Sequence, residues 1–335
     1  MVGPRKRMWS AATLTALVLA ASASAAAAGE TSRRAESTAA RLEQTQSVFF
    51  GVSIDRPSET LDAFEHAAGK RVALVNSYVS LASSHFDAAA GDAVWSRGAL
   101  PMVTWEPWRD GRLGPRQPEF ALRRFLDGSF DPLLRQFAES VRDWGRPVLL
   151  RFAPEMNGDW NSWSPGVNGN SAWEFVAVWK HVHDLFESVG ARNVEWVWSP
   201  NVAFPHSTPL RLLYPGDAYV DWVGVDGYNW GRTRPGMHWQ SFTSVFGPTI
   251  RSITQITKKP IVLTEVGSSE VGGKKDVWIR DFLSELQRNP SIVGFVWFQY
   301  DKGTDWRIDS SSASRAAFAA GLAQPRYVGA FSLTS

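Results

Sequence analysis

From Val48 onward, short apolar runs alternate with longer segments whose apolar residues recur every three or four positions. The runs predict strands over Val48–Ser53, Arg71–Tyr78, Pro101–Trp105, Pro147–Phe152, Val194–Trp198, Trp222–Val225, Ile261–Thr264 and Ile292–Phe298. Between them, Ala172–Val189 has the clearest helical period: Phe175, Val178, Trp179, Val182, Leu185, Phe186 and Val189 share one face. Phe130–Trp144, Trp239–Ile256 and Asp276–Arg288 read the same way. Buried runs alternating with helices predict a parallel sheet. Eight such runs predict an α/β fold of the (β/α)8 TIM-barrel class. A doubly wound open sheet is the alternative, and no G-x-G-x-x-G or Walker turn follows any strand.

In a barrel, chemistry gathers where strands end. Strand 4 runs into Glu155 and Asn157, with Trp160 and Trp163 beyond; strand 7 runs into Glu265. The other strand ends bring Asp55, Asn76 and Tyr78, Trp105-Glu106-Pro107-Trp108, Trp198 and Asn201, Asp226 and Tyr228, and Trp297, Gln299 and Tyr300. A carboxylate at the end of a buried strand is costly unless it is paired or used. Two of them on opposite strands suit a retaining glycosidase, which needs an acid and a nucleophile about 5–5.5 Å apart. The expectation is that Glu155, on strand 4, is the acid/base and Glu265, on strand 7, the nucleophile. Arg151, four residues before Glu155, and Tyr228 are expected to tune Glu265, and Arg151, Asn157, Asp226 and Tyr228 are expected to bind substrate as well. Trp105, Trp160, Trp198 and Trp297 are expected sugar platforms, since an indole face matches the C–H face of a pyranose.

Composition narrows the classes. There is no cysteine, so neither disulfides nor thiolate chemistry are available. The basic triplet Arg5-Lys6-Arg7, the apolar stretch Ala11–Ala20 and the Ala/Ser run after it read as a secretory signal over residues 1–28. Removing three positive charges takes the net charge from +2 to 2 − 3 = −1. A near-neutral chain argues against nucleic acid and fits an uncharged polysaccharide. Residues 29–46 read as a disordered spacer, 47–325 as the catalytic barrel and 326–335 as a C-terminal tail. The expected product is a secreted, extracellular protein, a monomer with no membrane segment after the leader and no cofactor.

Two other classes are open. The acids Asp55, Glu106, Asp226, Asp301 and Asp305 suggest a metal-dependent barrel enzyme, but the six histidines are scattered and no His-x-His or His-Glu-x-x-His occurs. A non-catalytic, lectin-like barrel would keep the aromatic cleft without needing both glutamates. No G-x-S-x-G elbow supports a serine hydrolase.

The block Arg151-Phe-Ala-Pro-Glu155-Met-Asn-Gly158-Asp-Trp160 resembles the acid/base block of glycoside hydrolase family 26, and Thr264-Glu265-Val-Gly resembles its nucleophile block. Val225-Asp-Gly-Tyr228-Asn-Trp230 and Trp297-Phe-Gln-Tyr followed by Asp305-Trp306-Arg307 are similar to that family too, in order from about Val48 to Ala323. The resemblance implies a retaining endo-β-glycanase acting on β-1,4-mannan, mixed-linkage β-1,3-1,4-glucan or β-1,3-xylan. Mannanases of the family usually carry a histidine just before the acid/base; this chain has Pro154. That departure sets β-glucan beside mannan as the expected substrate.

Overall fold

The computed structural model describes residues 47–82, 85–109 and 114–330. The signal and spacer read from the sequence lie outside them. Eight parallel strands close on themselves: β1 (Val48–Ser53), β2 (Leu74–Ser80), β3 (Leu100–Glu106), β4 (Val148–Phe152), β5 (Val194–Trp198), β6 (Trp222–Asn229), β7 (Ile261–Ser268) and β8 (Ile292–Phe298). β1 pairs with β2 on one side and β8 on the other, which closes the ring. The fold is the expected (β/α)8 TIM barrel.

Helices α1 (Pro57–Ala68), α2 (Ala88–Trp95), α3 (Asp131–Trp144), α4 (Ala172–Val189), α5 (Phe242–Ile256), α6 (Lys275–Leu286) and α7 (Ser312–Leu322) cover the outside. α4 starts on a capping box between Ser171 and Glu174 and stops at Gly190, whose φ of 79° suits a residue without Cβ. Among the described residues no α-helix links β5 to β6. The chain crosses there through two 3-10 turns, Leu210–Leu212 and Asp217–Tyr219.

Period-two alternation builds the interior in layers. Phe49, Leu74, Leu100, Met102, Leu149, Val197, Trp222, Val262 and Val296 fill the bottom of the barrel. Their alternates, among them Phe50, Val103, Leu150, Trp196 and Phe295, face the helices in a separate apolar shell. Above the apolar plug the same inward positions turn polar: Ser53, Asn76, Thr104, Arg151, Ser199, Asp226 and Thr264, all buried.

One boundary differs from expectation. Tyr327–Val328 adds a short ninth strand, β9, beside β1, and the Tyr327 hydroxyl donates to the Leu283 carbonyl at 2.5 Å. The packed unit therefore runs past residue 325 into the segment read as a tail.

Candidate active site

Arg151 anchors the polar layer. Its Nη1 donates to Glu265 Oε1 at 2.7 Å and to Thr104 Oγ1 at 3.1 Å, while Nη2 pairs with Asp226. Thr104 in turn donates to Asn76, and Asn76 to Ser53. Burial alone would lower the guanidinium's pKa, but Asp226 and Glu265 raise it above its ordinary value, so it stays cationic. Asp226 also receives Thr264 Oγ1 at 2.7 Å, and Ser199 Oγ lies 2.7 Å from Thr264. This close packing needs Gly224, where a Cβ would sit 2.5 Å from Ser199 Oγ.

A bulge in β7 delivers Glu265. Gly224 pairs with Val262 and Asp226 with Glu265, so β7 spends three residues where β6 spends two. Against β8 the same excess lies between Leu263 and Val266. Thr264 and Glu265 can therefore both face inward, a re-aiming that bulges provide near functional sites. Glu265 Oε1 also accepts the Tyr78 hydroxyl at 2.8 Å, and Oε2 accepts Tyr228. Burial and then Glu265 push both phenols well above their ordinary pKa, so both remain donors.

Glu155 stands in the loop after β4 with φ of 54°, and Ala153 has φ of 46°. For residues with a Cβ this left-handed backbone is strained, and surrounding contacts must hold it. Glu155 N donates to the Ser199 carbonyl at 2.7 Å and Ala153 N to Trp105 O at 3.0 Å. The Pro154 carbonyl accepts from Trp163 Nε1 at 2.7 Å and from Asn161 Nδ2 at 3.2 Å. The Glu155 carboxyl accepts from Asn201 Nδ2 and from Trp160 Nε1, each at 2.7 Å. Burial, then repulsion from Glu265, raises its pKa above the usual carboxylate value, against those two hydrogen bonds. Gly158 leaves room for Trp160, since a Cβ there would lie 2.6 Å from the indole.

Of the residues expected to touch substrate, only Trp160 and Tyr228 stand at the mouth. Trp105, Trp198 and Trp297 are 0% exposed, which corrects their reading as sugar platforms. The reason is phase: Glu106 faces inward, so Trp105 must face outward, where it stacks on Phe137 at 4.2 Å. Trp198 likewise donates to Leu213 O, and Trp297 packs against Phe318. Arg151 and Asp226 are also sealed and serve Glu265 rather than a ligand. Asn157 is buried too, and it exchanges hydrogen bonds with the Asn201 backbone at 2.9 Å each way, tying the β4 and β5 loops together.

At the mouth Trp160 and Tyr228 are joined by aromatics not expected as substrate contacts, Phe204, Tyr78 and Tyr300. Trp160 and Phe204, 38% and 37% exposed, lie 5.4 Å apart and tilted by 31° beside Glu155. Tyr78 and Tyr300 face each other at 6.4 Å near Glu265, and Tyr228 packs on Trp306 at 4.8 Å. The sequence reading missed the roles of Tyr78, Asn201 and Phe204. Inward phase along β2 could have marked Tyr78; nothing in the sequence marks Phe204. Among the described residues no three His, Asp or Glu side chains gather as a metal site. Asp301 and Asp305 are instead engaged by Arg307, at 3.9 and 2.6 Å.

Comparison with known proteins gives consistent results. Residues 123–317 match the description of glycosyl hydrolase family 26. Endoglucanase H of Acetivibrio thermocellus is 33% identical over 281 residues, 81% of this chain and 30% of that protein. A mannan endo-1,4-beta-mannosidase of Bacillus subtilis is 25% identical over 223 residues, 60% of this chain and 56% of its own length. The chain thus spans about a third of the first relative and just over half of the second. A solved structure of a Cellulomonas fimi endo-beta-1,4-mannanase double mutant superposes with a TM-score of 0.68 at 17% identity, covering 88% of this chain and 74% of the other. That last likeness is one of fold.

Proposed function

The chain belongs to glycosyl hydrolase family 26, and on that premise we propose that it is a retaining endo-β-glycanase with Glu265 as nucleophile and Glu155 as acid/base. The observation that carries the reading is the contrast between the two carboxyls. Glu265 accepts a guanidinium and two phenols, surroundings suited to an acceptor-only carboxylate. Burial and the neighbouring Glu265 raise the Glu155 pKa, the direction that a proton-giving acid needs.

In the first step Glu155 protonates the departing glycosidic oxygen while Glu265 attacks the anomeric carbon. As the nucleophile's charge moves into the new bond, Glu155 becomes anionic, and Asn201 and Trp160 are in place to hold it. In the second step Glu155 takes a proton from water, whose oxygen displaces Glu265 with overall retention. No bound metal or organic cofactor enters these steps.

The substrate we infer is a β-glucan in preference to mannan. Pro154 stands where the family's mannanases usually place histidine, and a relative matching 81% of this chain is named an endoglucanase. The aromatic pairs on either side of the carboxylates support internal cleavage of a long chain. The leader-like segment over residues 1–28 supports export outside the cell, toward a polymer too large to enter it.

The test is hydrolysis of mixed-linkage β-glucan, β-1,4-mannan and β-1,3-xylan, followed by product sizing. Glu265→Ala should be inactive on every substrate. Glu155→Ala should lose the polymer but retain aryl glycosides that leave without acid help. Binding of polymer without cleavage by the wild type would sink the enzymatic reading in favour of a lectin.

A further inference from the structure

Glu106 is a third carboxyl at the mouth, and the steps above leave it unused. It continues the inward phase of β3 after Met102 and Thr104. In the β2–β3 register Tyr78 pairs with Thr104 and Ser80 with Glu106, so Glu106 lies two residues, about 7 Å, further out along the strand than the layer of Tyr78. Its Oε2 accepts from Trp108 Nε1 at 3.3 Å. Among the described residues Oε1 has no hydrogen-bond partner, and the side chain is half-buried rather than sealed.

The charges that act on Glu106 are Arg151 on β4, Glu265 on β7 and Lys302 after β8. Across the β2–β3 register its neighbour is the strand of Tyr78, which donates to Glu265, and this contact sets Glu106 beside the nucleophile. In a retaining enzyme that side holds the sugars upstream of the broken bond. Burial, opposed by Arg151 and reinforced by Glu265, pushes the Glu106 carboxyl up to about 7. Below that pH it offers a hydroxyl donor as well as acceptor oxygens, which matches the dual character of a sugar hydroxyl.

We propose that Glu106, steadied by Trp108, hydrogen-bonds the second sugar on the non-reducing side of the scissile bond and so sets which glycans are accepted there. The inference rests on the glycosidase reading and deepens it. It is a substrate contact, with no bond made or broken at Glu106.

The probes are dinitrophenyl β-glycosides carrying one and two sugars, gluco- or manno-configured to match the polymer that the wild type cleaves. These place sugars only on the upstream side. In the wild type the second sugar should raise kcat/KM. Glu106→Ala and the bulkier Glu106→Leu should each lose about tenfold or more of that gain, with the one-sugar substrate changed by less than about twofold. Glu106→Gln, which keeps a donor and an acceptor, should stay within about threefold of wild type. Equal losses on both substrates would mean that Glu106 acts by supporting Glu265, and that overturns the proposal. So would a Glu106→Gln variant as weak as Glu106→Leu. If the wild type cleaves no probe and no polymer, the glycosidase reading itself has failed; if only the Glu106 variants misbehave, this inference alone has.

Discussion

Thr264 and Glu265 are consecutive in the chain, yet both point into the barrel. Thr264 donates to Asp226 and Glu265 accepts from Arg151. In a regular strand, neighbours face opposite sides, so the bulge in β7 is what lets one strand supply both a support and the proposed nucleophile.

Removing Arg151 should therefore cost stability as well as activity. Arg151→Met leaves Asp226 buried without its cation, which costs about 3–5 kcal/mol. Adding Asp226→Leu should recover part of that loss while activity stays absent. Urea unfolding of the two variants checks the claim, and no rescue by the second change would contradict it.

Gly158→Ala should separate activity from stability in the opposite sense. The added methyl meets the Trp160 ring, and that exposed indole can swing outward at little cost. Glu155 then loses one of its two donors. We expect hydrolysis of polymer to fall by about tenfold or more. The unfolding midpoint should barely move.

The tryptophans divide by the side of the strand they occupy. Trp105→Ala or Trp297→Ala should destabilise the fold by about 3–5 kcal/mol, as loss of a buried aromatic does. Trp160→Ala should leave the unfolding free energy within about 0.5 kcal/mol, since surface changes rarely cost more, and raise KM. Denaturation curves beside steady-state kinetics decide it; a KM effect from Trp297→Ala with normal stability would be the contrary result.

Glu195 gives the fold a pH dependence away from the mouth. It accepts from Trp222 Nε1 on the barrel's apolar plug, and burial, with a smaller push from Asp221, raises its pKa from 4.5 to about 7. Folded protein then holds a proton that unfolded chain releases between pH 4.5 and 7. Stability from this group is full below pH 4.5 and is lost as pH rises to about 7, by up to about 3 kcal/mol. Glu195→Gln should flatten the fall seen between pH 5 and pH 8 in urea midpoints. Glu106, Glu155 and Asp221, also raised by burial, would supply the slope that remains.

Much of this barrel was legible because its strands are apolar on both faces. β1, β5 and β8 begin and end where the apolar runs do. β6 and β7 each continue four residues further, and those residues include Asp226, Tyr228 and Glu265. Inward polar positions break the apolar run, so working strand reads as loop. The glutamates were visible from their place after strand runs, but their partners depend on register. Tyr78 reaches Glu265 only because β2 is inward at that residue. The left-handed backbone at Ala153 and Glu155 has no sequence mark at all, because Pro154 between them would suggest an ordinary extended segment.

The crossing from β5 to β6 is made by turns instead of a helix. It also carries Asn201, which holds Glu155, and Phe204, which extends the platform of Trp160. Elsewhere a rim residue is followed by a helix docked on the outer shell, so altering the rim risks the scaffold. Here the exposed stretch from Phe204 to His206 can be exchanged with no helix to unseat, while Leu210 and Leu213 behind it stay as buried anchors. If this architecture has one place where the downstream half of the groove can be recut for a differently linked polymer, it is that helix-free span.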